Sequence, residues 1–123
     1  AAEPLHGQRV SGAGDVIGRA CVVSAKDADD GRPILELGDG EIIVAPFLHP
    51  AWLPELMRAS GAAVSIGGWL SHMAIVAREH GKAMIVGAHL LDTIETGSLI
   101  KLCANGRIEI LEAPAAAYAT AAE

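Results

Sequence analysis

One stretch, Gly67-Gly-Trp-Leu-Ser-His-Met-Ala-Ile-Val-Ala-Arg-Glu-His-Gly81, concentrates reactive groups in this 123-residue chain. A glycine pair, Gly67-Gly68, leads into a segment whose pattern predicts a helix over Ser71 to His80. Ser71 is placed as its N-cap and Gly81 as the residue that stops it. His72 then falls in the first turn, where backbone N–H groups lack intrahelical partners and the macrodipole is positive. Such a place attracts anions. The same field disfavours an imidazolium, and a neutral imidazole keeps a lone pair for nucleophilic attack. His72 therefore has what a phosphoryl acceptor needs, with N–H groups nearby to hold the negative charge that arrives. Gly67 and Gly68 would supply backbone freedom and steric access for a bulky donor. The bland alternative is a first-turn histidine without chemistry, and residue type alone leaves it open.

Other candidate motifs fail on spacing. Gly12-x-Gly14-x-x-x-Gly18 has its third glycine one residue too late for a dinucleotide fingerprint, and it precedes a strand instead of following one. Gly81-Lys82-Ala83 lacks the upstream glycine and the Ser or Thr of a P-loop. No HExxH, paired-cysteine or GxSxG pattern occurs, so no metal ligands are assigned. Arg78 lies six residues beyond His72 and off its face, which leaves an ion pair with a surface carboxylate or a contact with a phosphate donor. Glu79 reads as a solvated helix charge, and His80 as a histidine favoured near a helix C-terminus. Trp69 either covers a docking face beside the nucleophile or fills the core.

The elements that must position this stretch alternate. Residues 1–9 read as a loose lead-in, and Val16 to Ser24 as a strand interrupted at Gly18. Residues 26–33 are polar and turn-rich, a surface loop. Glu41 to Ala45, Ala62 to Ile66 and Ala83 to Val86 are short apolar runs that predict buried strands. Between them, Pro50 to Ser60 carries Trp52, Leu56 and Met57 at helical spacing and predicts a helix with those residues in the core and Gly61 as its stop. Strand, helix, strand, helix, strand at short spacing predicts a partly parallel sheet with right-handed crossovers. Asn105-Gly106 predicts a hairpin between Ser98–Ala104 and Arg107–Leu111. The tail from Ala113 is alanine-rich. No internal repeat or second domain is visible.

Composition removes several function classes. Hydrophobic residues make up 51% and charged residues 20%, which allows a packed core and argues against disorder. The net charge is −6 and no Lys/Arg run exists, so nucleic acid is a poor partner. The few aromatics, Phe47, Trp52, Trp69 and Tyr118, are too sparse for base-stacking platforms. No run approaches about 18 apolar residues, so no membrane span is expected. Ala1 to Val10 lacks the pattern of a signal peptide, and a cytoplasmic location is the expectation. The absence of a starting Met points to an excised domain or a processed chain. Cys21 and Cys103 are expected to be reduced, buried thiols.

The histidine stretch resembles the phosphohistidine, or swivelling, domain of phosphoenolpyruvate-utilising enzymes. That family includes pyruvate phosphate dikinase, phosphoenolpyruvate synthase, enzyme I of the sugar phosphotransferase system and rifampin phosphotransferase. Its motif runs roughly Gly-Gly-x-Thr-Ser-His-x-Ala-Ile-x-Ala-Arg-Glu-x-Gly-x-Pro-Ala-x-x-Gly. Gly67, Gly68, Ser71, His72, Ala74, Ile75, Ala77, Arg78, Glu79, Gly81 and Gly87 match it. Ser11 to Ala20 resembles the family's opening glycine turn and first strand. Gly40 to Ala45 and His49-Pro50-Ala-Trp52 resemble its next segment. Three departures stand out: Leu70 for the usual Thr, Lys82-Ala83-Met84 for hydrophobic-Pro-Ala, and His49 for a common Asp. The first implies that regulation by phosphorylation of that threonine is absent. The second is expected to loosen the turn after the helix.

The resemblance implies one α/β swivelling domain of β/β/α type over residues 1–123, a partly parallel sheet flanked by helices. The core would span about 7–111, with linker-like ends at 1–6 and 113–123. It implies that His72 takes a phosphoryl group on Nε2 from ATP or phosphoenolpyruvate and passes it to an acceptor elsewhere. Ser71 and the first-turn amides would stabilise the phosphoimidazole. The domain would bind no cofactor itself. Magnesium and ATP or phosphoenolpyruvate would sit on partners, an ATP-grasp-like nucleotide-binding domain and a separate acceptor domain. Two other classes fit the same residues: a non-catalytic swivelling or adaptor domain, and a free-standing small phosphocarrier.

Overall fold

A computed structural model describes residues 5–89 and 91–114. The described strands are β1 (Leu5–His6), β2 (Gln8–Ser11), β3 (Val16–Val22), β4 (Ile42–Ala45), β5 (Gly61–Val64), β6 (Ala83–Val86), β7 (Leu99–Leu102) and β8 (Arg107–Glu112). The helices are α1 (Ala25–Asp30), α2 (Leu53–Arg58) and α3 (His72–Glu79), with 3-10 turns at Pro50–Trp52 and Leu91–Thr93. The three buried runs foreseen from the sequence are β4, β5 and β6. They pair in parallel with one another, and β3 joins β4 in parallel. The remaining pairs are antiparallel. This is the α/β architecture expected, with a partly parallel sheet and helices against it.

Every residue of β4, β5 and β6 is buried, which requires cover on both faces. The period-two alternation of a strand divides the side chains between two cores. Ile42, Val44, Ala63 and Ile85 join Leu5, Ile100, Leu102 and Ile108 in one cluster. Ile43, Ala45, Val64 and Met84 join Trp52, Leu56, Met73, Ala74 and Ala77 in the other. The first core lies between strands, the second between strands and helices. The result is a β/β/α arrangement.

The strand order is β1-β8-β7-β3-β4-β5-β6-β2. Its two ends, β1 and β2, are consecutive in the chain and separated only by Gly7. The chain itself therefore joins the two ends of the order. The seam is tight: Gly7 N–H donates to the Gly106 carbonyl at 2.9 Å. A Cβ on Gly7 would lie 2.6 Å from the Val86 carbonyl oxygen, and one on Gly106 would overlap the Gly7 carbonyl. Gly106 also has φ 94°, a conformation that side chains rarely tolerate.

Several expectations need correction. Residues 5–9 are not a loose lead-in, because β1 and the start of β2 pair with β8 and β6 there. Leu5 and His6, placed with the linker-like end, form β1. Gly18 does not interrupt β3. It pairs with Ile100 inside the β7 ladder, and the strand changes partner just beyond it, with Val16–Arg19 on β7 and Ala20–Val22 on β4. Residues 26–33 are not simply a loop. Ser24 Oγ accepts from Asp27 N–H and starts α1, which Gly31 ends in the left-handed conformation (φ 65°), and Ala28 anchors the helix in the core. The helix over 50–60 splits into a 3-10 turn and α2, because Pro54 restricts its first turn. It ends at Arg58, while Gly61 already belongs to β5. Trp52 and Leu56 are core residues, and Met57 is only partly buried. In the hairpin, Gly106 N–H bonds the Cys103 carbonyl, so Ala104-Asn105 form the turn and Gly106 follows in the left-handed region. The expectations for residues 1–4 and 115–123, including Tyr118, lie outside the described residues.

Both cysteines are free and buried. Burial pushes the Cys21 thiol up to about 11, with Glu41 and Glu36 adding to it. Burial and Glu109 likewise raise Cys103. Iodoacetamide at pH 8 will therefore modify neither cysteine in the folded chain and both in denaturant, as mass spectrometry will show. An unfolded thiol ionises near 9 while folded Cys21 does not. Its contribution to stability is intact below that pH and is lost as pH rises toward about 11. A second expectation concerns the seam. Gly106→Ala will lose at least about 1–3 kcal/mol of stability from backbone strain, measured by urea unfolding.

Candidate functional site

The chain leaves β5 at Val64, turns through residues 65–71 and enters α3. Ser71 is extended (φ −64°, ψ 148°), and its Oγ accepts from Ala74 N–H at 3.3 Å. That is the N-cap expected, and His72 is the first helical residue. The helix ends as foreseen too. Gly81 takes φ 66°, its N–H bonds the Arg78 carbonyl, and the Lys82 N–H bonds the Ala77 carbonyl at 2.9 Å. These paired bonds form a Schellman motif. Met73, Ala74 and Ala77 form the buried face of α3. Two alanines there let the helix backbone lie close to the sheet. His72 is exposed, next to this anchored face.

Gly67 and Gly68 divide the roles proposed for them. Gly67 holds φ 150°, which a side chain would oppose. At Gly68 a Cβ would meet nothing within 4 Å, so the space there is open. Beside them lies an apolar hollow of about 310 Å³, lined in part by Phe47, Leu48, Pro50, Ile66, Met73 and Met84, with Ser71 and His72 on its wall. Around it Ile66 (65% exposed), Trp69 (49%) and Leu70 (85%) present apolar side chains to solvent. The nucleophile candidate thus stands on an apolar surface. Phe47 to Pro50 come from the segment after β4, and nothing in their own sequence pattern pointed to the site.

Arg78 does not form the ion pair that was one of the two roles left open for it. No carboxylate lies within ion-pair distance among the described residues. Its Nη1 donates to the Val10 carbonyl of β2 at 3.2 Å, its Nη2 donates to the Trp69 carbonyl, and its Cζ lies 5.1 Å from the Trp69 ring centroid. Trp69 is accordingly not a core residue. Its ring is packed on Arg78 and remains half exposed. Glu79 and His80 are exposed, and His80 is the helix C-cap. The turn after α3 is not loosened by Lys82. Lys82 Nζ donates to the Met57 and Ala59 carbonyls at 2.9 and 3.0 Å, and its own carbonyl accepts from Ser11 Oγ at 2.6 Å. The lysine ties the end of α2 to the start of β6. His49, in the place of a common Asp, caps the 3-10 turn by accepting from Ala51 N–H at 3.0 Å. No helix among the described residues is long and apolar enough to cross a membrane.

A small closed β/β/α domain with a solvent-facing histidine at a capped helix start defines a recognisable class. The family described as PEP-utilising enzyme, mobile domain, matches residues 37–106, and the chain belongs to that family. The rifampicin phosphotransferase of Bacillus cereus is 35% identical over 113 residues, which is 89% of this chain and 12% of that protein. A rifampicin phosphotransferase from Streptomyces is 38% identical over 109 residues, 87% of this chain and 12% of that protein. The phosphoenolpyruvate synthase of Aquifex aeolicus is 40% identical over 70 residues, 55% of this chain and 8% of that protein. The chain thus spans about an eighth or less of these relatives. The holo-form of aconitase X from Thermococcus kodakaraensis shares the fold. Its TM-score is 0.61 at 18% identity, covering 90% of this chain and 100% of that one.

The cap makes a measurable difference. Ser71→Ala will cost about 0.5–2 kcal/mol in urea unfolding, and hydrogen exchange at the Ala74 amide will speed up while the strands stay protected.

Proposed function

We propose that this domain is a phosphohistidine carrier and that His72 accepts the phosphoryl group. The observation that carries the proposal is the exposed His72 at the first position of α3, capped by Ser71, within a member of the mobile-domain family. In the step envisaged, the Nε2 lone pair attacks phosphorus. An Nε2–P bond forms, and the bond from phosphorus to the donor oxygen breaks, that oxygen leaving with the electron pair. The first-turn N–H groups and the positive end of α3 favour the dianionic charge brought onto the ring. Delivery reverses the bookkeeping: an acceptor oxygen attacks phosphorus, and the P–N electrons return to the imidazole.

The donor, ATP or phosphoenolpyruvate, and its magnesium would be held by partner domains, an ATP-grasp-like one among them, and the acceptor by another. A rigid body with one reactive atom suits such a shuttle. The open space at Gly68 and the apolar surface around His72 suit a site that must enter a partner's cleft and exclude water there.

The test uses the chain joined to, or mixed with, the donor-binding domains, incubated with Mg-ATP or phosphoenolpyruvate. Acid-labile, base-stable phosphate is expected on the peptide containing His72, and none in His72→Ala. A folded complex that takes up no label from either donor would sink the proposal and leave a non-catalytic swivelling domain.

A further inference from the structure

The segment Gly67–Leu70, which presents Ser71 and His72, has little of its own to hold it. Gly67 and Gly68 offer no side chain to pack, Leu70 is almost fully exposed, and the Trp69 ring is half exposed. Its flank is pinned where Ile66 N–H bonds the Pro46 carbonyl at 2.8 Å, and Ser71 N–H bonds back to Gly68 within the loop. Among the described residues, the hydrogen bond that ties Gly67–Leu70 to the body of the domain is the one from Arg78 Nη2 to the Trp69 carbonyl. The other arm of the same guanidinium holds the Val10 carbonyl of β2, at 3.2 Å, and its face covers the Trp69 ring. A side chain on α3 slants toward the helix N-terminus, so Arg78 reaches back along the helix to the loop that precedes it. A planar fork can hold two carbonyls and stack flat on a ring at once, a geometry that the point charge of lysine does not match.

We infer that Arg78 is a positioning residue for His72: bonded to β2 and to the Trp69 carbonyl and stacked on the indole, it holds the Gly67–Leu70 segment in the shape that presents the imidazole to a donor. The inference rests on the phosphohistidine reading above. Arg78 acts through Trp69, two residues before the N-cap, and its charge is engaged by carbonyl oxygens and a ring face instead of a carboxylate. Misplacing a nucleophile by about 1 Å can cost on the order of 100-fold in rate. The clamp therefore bears on the rate of transfer more than on donor binding.

The test compares wild type, Arg78→Lys and Trp69→Leu in the complex with donor-binding domains, at saturating donor. Three quantities are followed: the single-turnover rate of His72 labelling, hydrogen exchange at amides 67–71, and labelling of His72 by phosphoramidate, a small donor that needs no docking. Arg78→Lys is expected to slow enzymatic labelling about 10- to 100-fold with donor affinity unchanged. Loop amides should exchange faster, β4–β6 should keep their protection, and phosphoramidate should label as in wild type. Trp69→Leu should show the same pattern, more weakly. A wild-type rate in Arg78→Lys overturns the inference, as does a slowed rate with unchanged loop exchange, which would put Arg78 on the donor itself. If Arg78→Lys loses protection throughout the sheet, Trp69→Leu decides by the same criteria. Wild type that phosphoramidate labels but no docked donor does would count against the carrier reading, and the loop exchange of the variants would still judge the clamp.

Discussion

The parallel strands β4, β5 and β6 are four residues long and buried on both faces, and the rest of the molecule follows from covering them. A strand this short offers only two side chains to each side. Neither side can form a stable core alone, so both must be roofed. On one side the antiparallel strands β1, β7 and β8 supply the roof, and the chain closes through Gly7. On the other, α2 and α3 supply it with Trp52, Leu56 and the small face of α3.

The position of His72 is a consequence. A right-handed crossover from β5 to β6 must place a helix over the sheet, and its start must lie beyond the carboxyl end of β5. The helix is seated by Ala74 and Ala77, capped by Ser71 and closed by the Schellman bonds at Gly81. Two cations then secure what packing leaves loose. Lys82 ties the end of α2 to the entry of β6, and Arg78 ties the presenting loop to β2. Each donates to backbone carbonyls instead of pairing with a carboxylate. The two Lys82 bonds and the Arg78 bond to Val10 are partly buried, whereas the Arg78 bond to the Trp69 carbonyl is exposed.

The likeness of the fold to aconitase X, at 18% identity, shows how little the architecture says about chemistry. The family assignment rests on the matched sequence over residues 37–106, which contains the glycine pair, the cap and the histidine. The proposed function rests on that site, and the chain spans only a small share of the longer relatives.

The sequence by itself determined whatever depends on neighbours along the chain. The cap at Ser71, the start of α3 at His72, its stop at Gly81 and the three buried strands were all legible, because capping, left-handed glycines and apolar runs are local signals. So was the histidine stretch, whose residues are contiguous. Tertiary structure decided what depends on distant partners. Gly18 looked like an interruption because its strand pairs first with β7 and then with β4, two segments far apart in the chain. Residues 5–9 looked loose because their hydrogen-bond partners lie on β8 and β6. The carbonyl partners of Arg78 were not legible, since they lie at Val10 and Trp69 and any residue can supply a carbonyl. A side chain bonded to backbone leaves no mark on the identity of its partner, and only the folded chain brings the two together.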